Sequence, residues 1–149
     1  MQELKIPALR NGTVIDHLPS KVTFKVMRML QLRDYEHTIT VAINLPSIKI
    51  GKKGIIKISD RYLTKEEVNK VAILAPKATV SIIKDYNIKE KIRVKFPDII
   101  ENIVKCSNPK CITNNEDVTT HFKMVSEKPL MIRCHYCERS MSREDITLK

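Results

Sequence analysis

The stretch TKEEVNKVAILAPKATVSIIKDY, residues 64–86, carries the clearest structural signals in the chain. Thr64 and Glu67 form the T-x-x-E pattern of a capping box, which marks the start of a helix. The apolar side chains that follow recur at helical spacing, and Pro76 ends the helix. Residues 79–86 are rich in β-formers and predict a strand. The stretch is therefore a helix followed directly by a strand.

The same succession of strands and helices continues on both sides of this stretch. The predicted elements are strands at 12–18, 38–45, 54–59 and 91–96, a loop at 46–53, and a helix at 21–31 with Ser20 as its N-cap. The order is β-α-β-β-α-β with one further strand, which is the ferredoxin-like arrangement. We therefore expect an α+β fold, in which an antiparallel sheet carries two helices on one face. The other face, or a sheet edge, is left for a ligand or a second copy of the chain.

Charge is distributed unevenly along the 149 residues. Lys and Arg number 27 against 17 Asp and Glu, a formal net charge of +10. Residues 1–98 hold a net +9, whereas residues 99–149 hold only +1. A basic domain attracts phosphate in nucleic acid, an anionic membrane or a nucleotide. A solvated, lysine-rich surface that serves solubility has the same composition.

Several classes of protein are not expected. The longest apolar run, Val71 to Ala75, is far below the roughly 20 residues of a membrane-spanning helix. Residues 1–12 lack the apolar core of a secretory signal, so we expect a cytoplasmic protein. No catalytic motif is found, and Asp16 and His17, as neighbours in a strand, should point to opposite faces. An enzyme is therefore not predicted.

All four cysteines lie in the last third of the chain. Cys106 and Cys111 form a C-x4-C pair, and Cys134 and Cys137 form a C-x2-C pair 22 residues later. Two close pairs at this separation are typical of a closed, structural zinc site. Two disulfides, a redox-active C-x2-C pair, and a ligand role for His121 or His135 are the alternatives. A site of this kind should supply much of the folding free energy of a domain of about 50 residues.

Pro97 marks a boundary between two domains, at residues 1–97 and 98–149. Residues 98–105 look like a connector. Short strands are predicted at 121–125, 130–134 and 145–149, around the metal. Two functions fit this organisation: a nucleic-acid protein with a zinc ribbon, or a small-molecule sensor whose zinc domain docks on a partner. The scarcity of aromatic residues and the neutral second domain favour the sensor.

The residues also resemble a known family. The telling stretches are GTVIDH at 12–17, NLPS at 44–47, KI at 57–58, APKATV at 75–80, CSNPKCI at 106–112 and CHYCE at 134–138. In this order they resemble the regulatory chain of aspartate carbamoyltransferase, which is found in bacteria and archaea. The resemblance covers nearly the whole chain.

The resemblance implies a regulatory chain that catalyses nothing itself. It implies a ferredoxin-like nucleotide-binding domain at 1–97 that pairs with a second copy of itself. It further implies a zinc domain at 98–149, with one structural Zn²⁺ on four cysteines, that holds the catalytic chains in a dodecamer of six catalytic and six regulatory chains. The implied effectors are CTP and ATP, and in some members UTP, which control pyrimidine biosynthesis. Neither nucleic acid nor membrane is an expected partner.

The resemblance also assigns roles in the nucleotide site. Asp16 and His17 would lie near the ribose and phosphates, Lys57 near the ribose and base, and Lys91 and Arg93 at the triphosphate. The residues implied to shape the base and ribose pocket are Leu9, Val14, Ile83, Tyr86 and Ile88, with Lys53 as a further phosphate contact. Ser81 departs from the Asn of a related chain and is expected to alter base preference.

Overall fold

The computed structural model describes residues 8–149. These residues divide into two compact units that meet between Phe96 and Pro97. Each unit has its own sheets and its own buried side chains. The two units are therefore described separately.

The first unit contains five strands and two helices. Its elements are β1 (Gly12–Pro19), α1 (Ser20–Met29), β2 (Ile39–Ser47), β3 (Gly51–Ser59), α2 (Lys65–Leu74), β4 (Thr79–Lys84) and β5 (Asn87–Arg93). The strands form one sheet in the order β2-β3-β1-β4-β5, and every neighbouring pair is antiparallel. This confirms the predicted ferredoxin-like arrangement, with β5 as the additional edge strand.

The two faces of this sheet differ because side chains alternate along each strand. Ile15, Ile56 and Val80 are at most 1% exposed and pack with helix residues such as Val26 and Val71 in one core cluster. The intervening positions on the same strands point away from the helices. That outer face holds the side chains discussed below.

The capping box predicted for α2 is confirmed. The Glu67 amide donates to Thr64 Oγ1 at 3.1 Å, and the Thr64 amide donates to Glu67 Oε1 at 3.0 Å. The prediction that Ser20 caps α1 is wrong. Ser20 is the first helical residue, and its Oγ accepts a hydrogen bond from the Asn44 amide at 2.9 Å. The hydroxyl thus ties α1 to β2 instead of capping the helix.

Two loops are shorter than predicted. Strand β2 ends at Ser47 and strand β3 begins at Gly51, so only residues 48–50 connect them. Strand β5 begins at Asn87, several residues before the predicted 91–96, because the turn before it has just two residues. Asp85 and Tyr86 both have positive φ, at 50° and 66°, as the tight hairpin turn between twisted strands requires.

The second unit is built from short strands. They are β6 (Ile99–Glu101), β7 (Val104–Lys105), β8 (His121–Ser126), β9 (Met131–Cys134), β10 (Ser140–Ser142) and β11 (Thr147–Leu148), with a helical turn α3 at Ile112–Asn115 and a 3₁₀ turn at Arg143–Asp145. Four of the strands form a sheet in the order β10-β9-β8-β6, and β11 pairs with β7.

Two predictions for this unit need correction. The expected connector at 98–105 contains β6 and β7, because Ile100 and Val104 fill the core at 1% and 0% exposure. Three- and two-residue strands are too short to show periodicity. The last strand begins at Thr147, since the Ser142 amide donates to Asp145 Oδ2 and starts the 3₁₀ turn before it.

Gly12 at the start of β1 cannot be replaced without strain. Its φ is +143°, and a Cβ atom there would lie 2.0 Å from the Ile58 carbonyl oxygen. Gly51 also has a positive φ, of +82°, but a Cβ there would meet nothing within 4 Å. We expect Gly51→Ala to lower the free energy of unfolding by about 1–3 kcal/mol from backbone strain alone, and Gly12→Ala to lower it further. Urea denaturation of both variants measures the difference, and equal losses would contradict the predicted clash.

Candidate functional site

A row of side chains crosses the outer face of the first sheet. In the strand register, Lys57 on β3 lies opposite Val14 on β1, which lies opposite Ser81 on β4, which lies opposite Lys91 on β5. Residues directly opposite one another in an antiparallel sheet project from the same face. The register therefore brings together Lys57, Val14 and Lys91, three residues predicted to form the site, with Ser81 between Val14 and Lys91.

The outer face is apolar on one side of this row, toward the β4–β5 turn. Ile83 lies opposite Ile88, close to the hairpin turn, and Gly12 lies opposite Ile83 on the other side. Ile83 is only 7% exposed, whereas Tyr86 and Ile88 are 65% and 62% exposed. The Tyr86 amide donates to the Arg10 carbonyl at 2.9 Å, which brings the preceding residue, Leu9, near the turn. Apolar side chains left open in this way can cover a flat ring.

The outer face is polar on the opposite side of this row. Asp16 lies opposite Thr79, which lies opposite Arg93. Lys53 Nζ contacts both Asp16 carboxylate oxygens, at 2.9 and 3.2 Å. The Lys53 and Asp16 side chains are only 20% and 25% exposed. The pair holds a cation and an anion at the edge of the outer face, in a partly desolvated setting.

His17 does not follow the alternation expected of a regular strand. Its φ is +60°, and the β1–β3 register shifts between Ile15 and Leu18, which marks a β-bulge. The His17 amide donates to Asp16 Oδ1 at 2.6 Å, and His17 Nδ1 lies 3.2 Å from Thr79 Oγ1. Thr79 is the partner of Asp16 in the sheet. The bulge therefore brings the imidazole next to Asp16, contrary to the prediction that the two point apart.

The surroundings of the outer face perturb two pKa values. Burial is the largest cause that lowers the pKa of His17, and the positive charges of Lys53, Lys49 and Lys91 lower it further against the opposing effect of Asp16. Burial also lowers the pKa of the Lys57 ammonium group, again opposed by Asp16. Both bases are thus held where an added anion would favour their charged forms.

All eleven residues implied for the nucleotide site, Lys53 included, lie on β1, β3, β4, β5 or the adjoining turn and N-terminal segment. Thr79 and Lys49 were not predicted, although both lie close to His17. The APKATV stretch contains Thr79, but its contact with a residue 62 positions away depends on the strand register. The sequence contains no signal for Lys49, because the bend of the β2–β3 hairpin is what brings it near His17.

The four cysteines of the second unit form one cluster. Their sulfur atoms all lie within 4.8 Å of one another. Cys106 Sγ is 3.7 Å from Cys137 Sγ, and Cys111 Sγ is 3.8 Å from Cys134 Sγ. Four sulfurs around a zinc ion at about 2.3 Å would be about 3.8 Å apart at the corners of a tetrahedron. A disulfide needs a separation of about 2 Å, so the disulfide alternative does not fit.

Asparagine side chains hold the first cysteine pair in place. Asn114 Nδ2 donates to the Cys106 and Asn108 carbonyls at 2.9 and 2.7 Å. Asn115 Nδ2 donates to the Pro109 and Cys111 carbonyls at 3.0 and 2.8 Å. These bonds shape the loop independently of any metal. The second pair lies on a tighter turn, in which the Glu138 amide donates to the Cys134 carbonyl at 3.0 Å.

The surroundings of the thiols shift their pKa values in different directions. Burial raises the pKa of Cys106 to about 12 and also raises the pKa of Cys134. Burial acts in the same direction on Cys137, but hydrogen bonds from the Arg139 backbone and the Asn108 side chain outweigh it and lower its pKa to about 7. Four clustered sulfur ligands, three of them on buried cysteines, form a donor set that fits Zn²⁺, whose charge would stabilise the thiolate forms. Such an ion would cross-link the two cysteine pairs and leave no open position for catalysis.

The histidines near this cluster have other contacts. The rings of His121 and His135 pack against each other with centroids 5.2 Å apart, and His121 Nδ1 lies 3.3 Å from Glu101 Oε1. Within residues 8–149, the four cysteines are the single group of three or more potential metal ligands. Over the same residues, every helix is too short or too polar to cross a membrane.

The two units thus combine a sheet face with charged and apolar side chains and a four-cysteine cluster that fits a structural metal. Comparisons with known families give the same division. Residues 4–95 match the allosteric domain of the aspartate carbamoyltransferase regulatory chain, and residues 98–147 match its metal-binding domain.

Curated relatives extend this match over nearly the full chain. Aspartate carbamoyltransferase regulatory chains from Pyrococcus abyssi and Bacteroides fragilis are 51% and 49% identical to it, over 98% and 99% of this chain and 97% and 96% of theirs. The Thermococcus sibiricus regulatory chain is 50% identical, over 100% of this chain and 98% of its own. The chain belongs to the family of aspartate carbamoyltransferase regulatory chains. It is a non-catalytic, allosteric subunit that associates with catalytic chains.

Proposed function

We propose that the outer face of the first sheet binds nucleoside triphosphates, with CTP and ATP as effectors and UTP as a third candidate. Their binding changes the activity of the catalytic chains and so controls pyrimidine biosynthesis. The observation that carries this proposal is the polarity of the face. It has apolar side chains at one end, the Lys57 and Lys91 ammonium groups on the row through the middle, and a charged cluster around His17 at the other end.

A nucleotide matches this polarity group by group. Ile83, Ile88 and Tyr86 would cover the base, and backbone groups near Leu9 would read its exocyclic atoms. Val14, Lys57 and Asp16 would lie along the ribose, where a carboxylate can accept hydrogen bonds from hydroxyl groups. Lysine ammonium groups are strong ligands for phosphate oxygens, and Lys91 is the central one here. Arg93, His17 and Lys53 would complete the polyphosphate end.

The buried Ser81 supports a base preference particular to this chain. It is 8% exposed and stands in the row between Val14 and Lys91. A serine hydroxyl reaches less far than an asparagine amide and offers one donor instead of two. We expect discrimination between CTP and ATP to depend mainly on backbone groups.

We also propose the assembly and setting in which this chain acts. Two copies pair through their first units, and the second units, each folded on one Zn²⁺, hold two catalytic trimers in a dodecamer with six regulatory chains. Cysteines kept as metal ligands fit a reducing compartment, which supports a cytoplasmic location. An effector shifts this assembly only if it binds its two quaternary states with different affinity.

A calorimetric titration of the zinc-loaded chain with CTP, and separately with a short RNA, tests the proposed ligand. We expect saturable CTP binding near one per chain and weak RNA binding that disappears at moderate salt. Tight RNA binding without CTP binding would overturn the proposal in favour of a nucleic-acid function.

The pH dependence of binding tests the role of His17. Its pKa is lowered in the free chain, so His17 is neutral at pH 7, and a bound polyanion would favour the protonated form. Effector binding should therefore take up protons and tighten as the pH falls from 8 to 6. The phosphates of the nucleotide titrate in the same range, so His17→Gln is the control. A proton uptake that is equal in both proteins would contradict the role of His17.

A further inference from the structure

The tip of the β2–β3 hairpin extends beyond the end of β1, whose last partner on β3 is Lys53. Ser47 and Gly51 form its last pair, and residues 48–50 connect them. Lys49 at the tip is exposed, and its Nζ lies 3.4 Å from the Lys77 carbonyl oxygen, just before β4. Strand β1 lies between β3 and β4 in the sheet. The Lys49 side chain therefore reaches across the end of β1.

The two strands that flank β3 in the sheet, β2 and β1, are both irregular near this hairpin. Strand β2 has a register shift between Ala42 and Leu45, with Asn44 at a φ of +59°. Strand β1 has the bulge at His17 described above. The bond from the Asn44 amide to Ser20 Oγ links the irregular segment of β2 to the start of α1, just after β1. Bulges increase local twist and redirect a strand, so these two irregularities turn the hairpin tip toward the polar end of the outer face.

The Lys49 ammonium group lies close enough to His17 to influence its pKa. Its positive charge lowers the pKa of His17, in the same direction as those of Lys53 and Lys91. Three lysines from the hairpin tip, β3 and β5 thus converge on one imidazole. Asp16 is the acidic group opposing them at His17. In addition, Lys53 is already paired with Asp16, whereas the contact of Lys49 seen within residues 8–149 is with a neutral carbonyl at the long end of the hydrogen-bond range.

We propose that Lys49 binds the terminal phosphoryl group of the effector and sets the preference of this site for triphosphates over diphosphates and monophosphates. The inference rests on the proposed function, which it makes more specific. Lys49 gives up a weak contact with a neutral oxygen for a charge-assisted one, so little is lost when it turns toward the phosphate. A lysine on a loop is suited to this role because its four-carbon stem can reach a variable target.

Binding of CTP, CDP and CMP to wild-type chain, Lys49→Ala and Lys52→Ala tests the inference by calorimetry. Lys52 is the matched control, because it is an exposed lysine three residues further on and lies opposite Pro46 in the same hairpin. We expect Lys49→Ala to weaken CTP binding about fivefold, CDP binding less than twofold and CMP binding not at all, as an exposed charge pair would. Lys52→Ala should leave all three unchanged. Circular dichroism checks that each variant is folded.

The possible results distinguish the role of Lys49 from the proposed nucleotide binding on which it depends. An equal loss for CTP and CMP in Lys49→Ala would overturn the terminal-phosphate role, as would a matching loss in Lys52→Ala or no loss at all. In those cases wild-type binding of CTP would still support the proposed function. If the wild-type chain binds none of the three nucleotides, the proposed function and the inference both fail.

Discussion

Replacing Cys111 with Ala should abolish metal binding and unfold the second unit. Cys111 is 1% exposed and is one of four thiols within 4.8 Å of one another. Structural zinc contributes about 10–16 kcal/mol to the folding of small metal domains, far more than the core of such a unit can supply. The metal content should fall from one ion per chain to almost none. The variant should no longer assemble with catalytic chains, as native gel electrophoresis of the mixture would reveal.

A volume-conserving change in the same unit is the control for this experiment. Met141 is fully buried, and Met141→Leu should keep the metal and the assembly because it preserves the core volume. A Cys111→Ala chain that retains one metal ion and still assembles would refute the structural role of the cluster.

Replacing Lys91 with Ala should remove the response to CTP and ATP while leaving assembly intact. Lys91 is exposed on β5, opposite Ser81, so its removal leaves the core untouched. Losing a hydrogen bond from an ammonium group to phosphate weakens binding by about 10- to 100-fold. Calorimetry measures that loss, and the catalytic rate of the assembled enzyme with and without nucleotide measures the response.

Lys89 on the same strand is the matched control for Lys91. It is also exposed and falls in the register shift between Ile82 and Ile83, outside the row of paired residues. Lys89→Ala should bind CTP like wild type. Loss of assembly in Lys91→Ala, or equal effects of the two substitutions, would count against the assigned site.

The elements fixed by local chemistry could be predicted from the sequence. Thr64 and Glu67 cap α2 because both partners of the capping box lie within one turn. The cysteine cluster follows from the short spacing within each pair. The ferredoxin-like order could be predicted too, since each main strand and helix shows its own periodicity.

Features that depend on strand register could not be predicted from the sequence. The bulge at His17 looks like ordinary strand sequence, yet it decides which face the imidazole occupies. The Asp85–Tyr86 turn has positive φ at both residues but contains no glycine, so its residue types did not predict it. The ion pair between Lys53 and Asp16 joins residues 37 positions apart. Such contacts follow from how strands are aligned, which depends on packing of the whole sheet.

The most direct test of the account is the catalytic rate of the enzyme assembled from this chain and its catalytic partner, measured at subsaturating aspartate with and without CTP. We expect CTP to change the rate of the assembled enzyme and to have no effect on catalytic chains alone or on enzyme assembled with Lys91→Ala. A rate that CTP leaves unchanged in the wild-type assembly, or changes equally in the isolated catalytic chains, would contradict it.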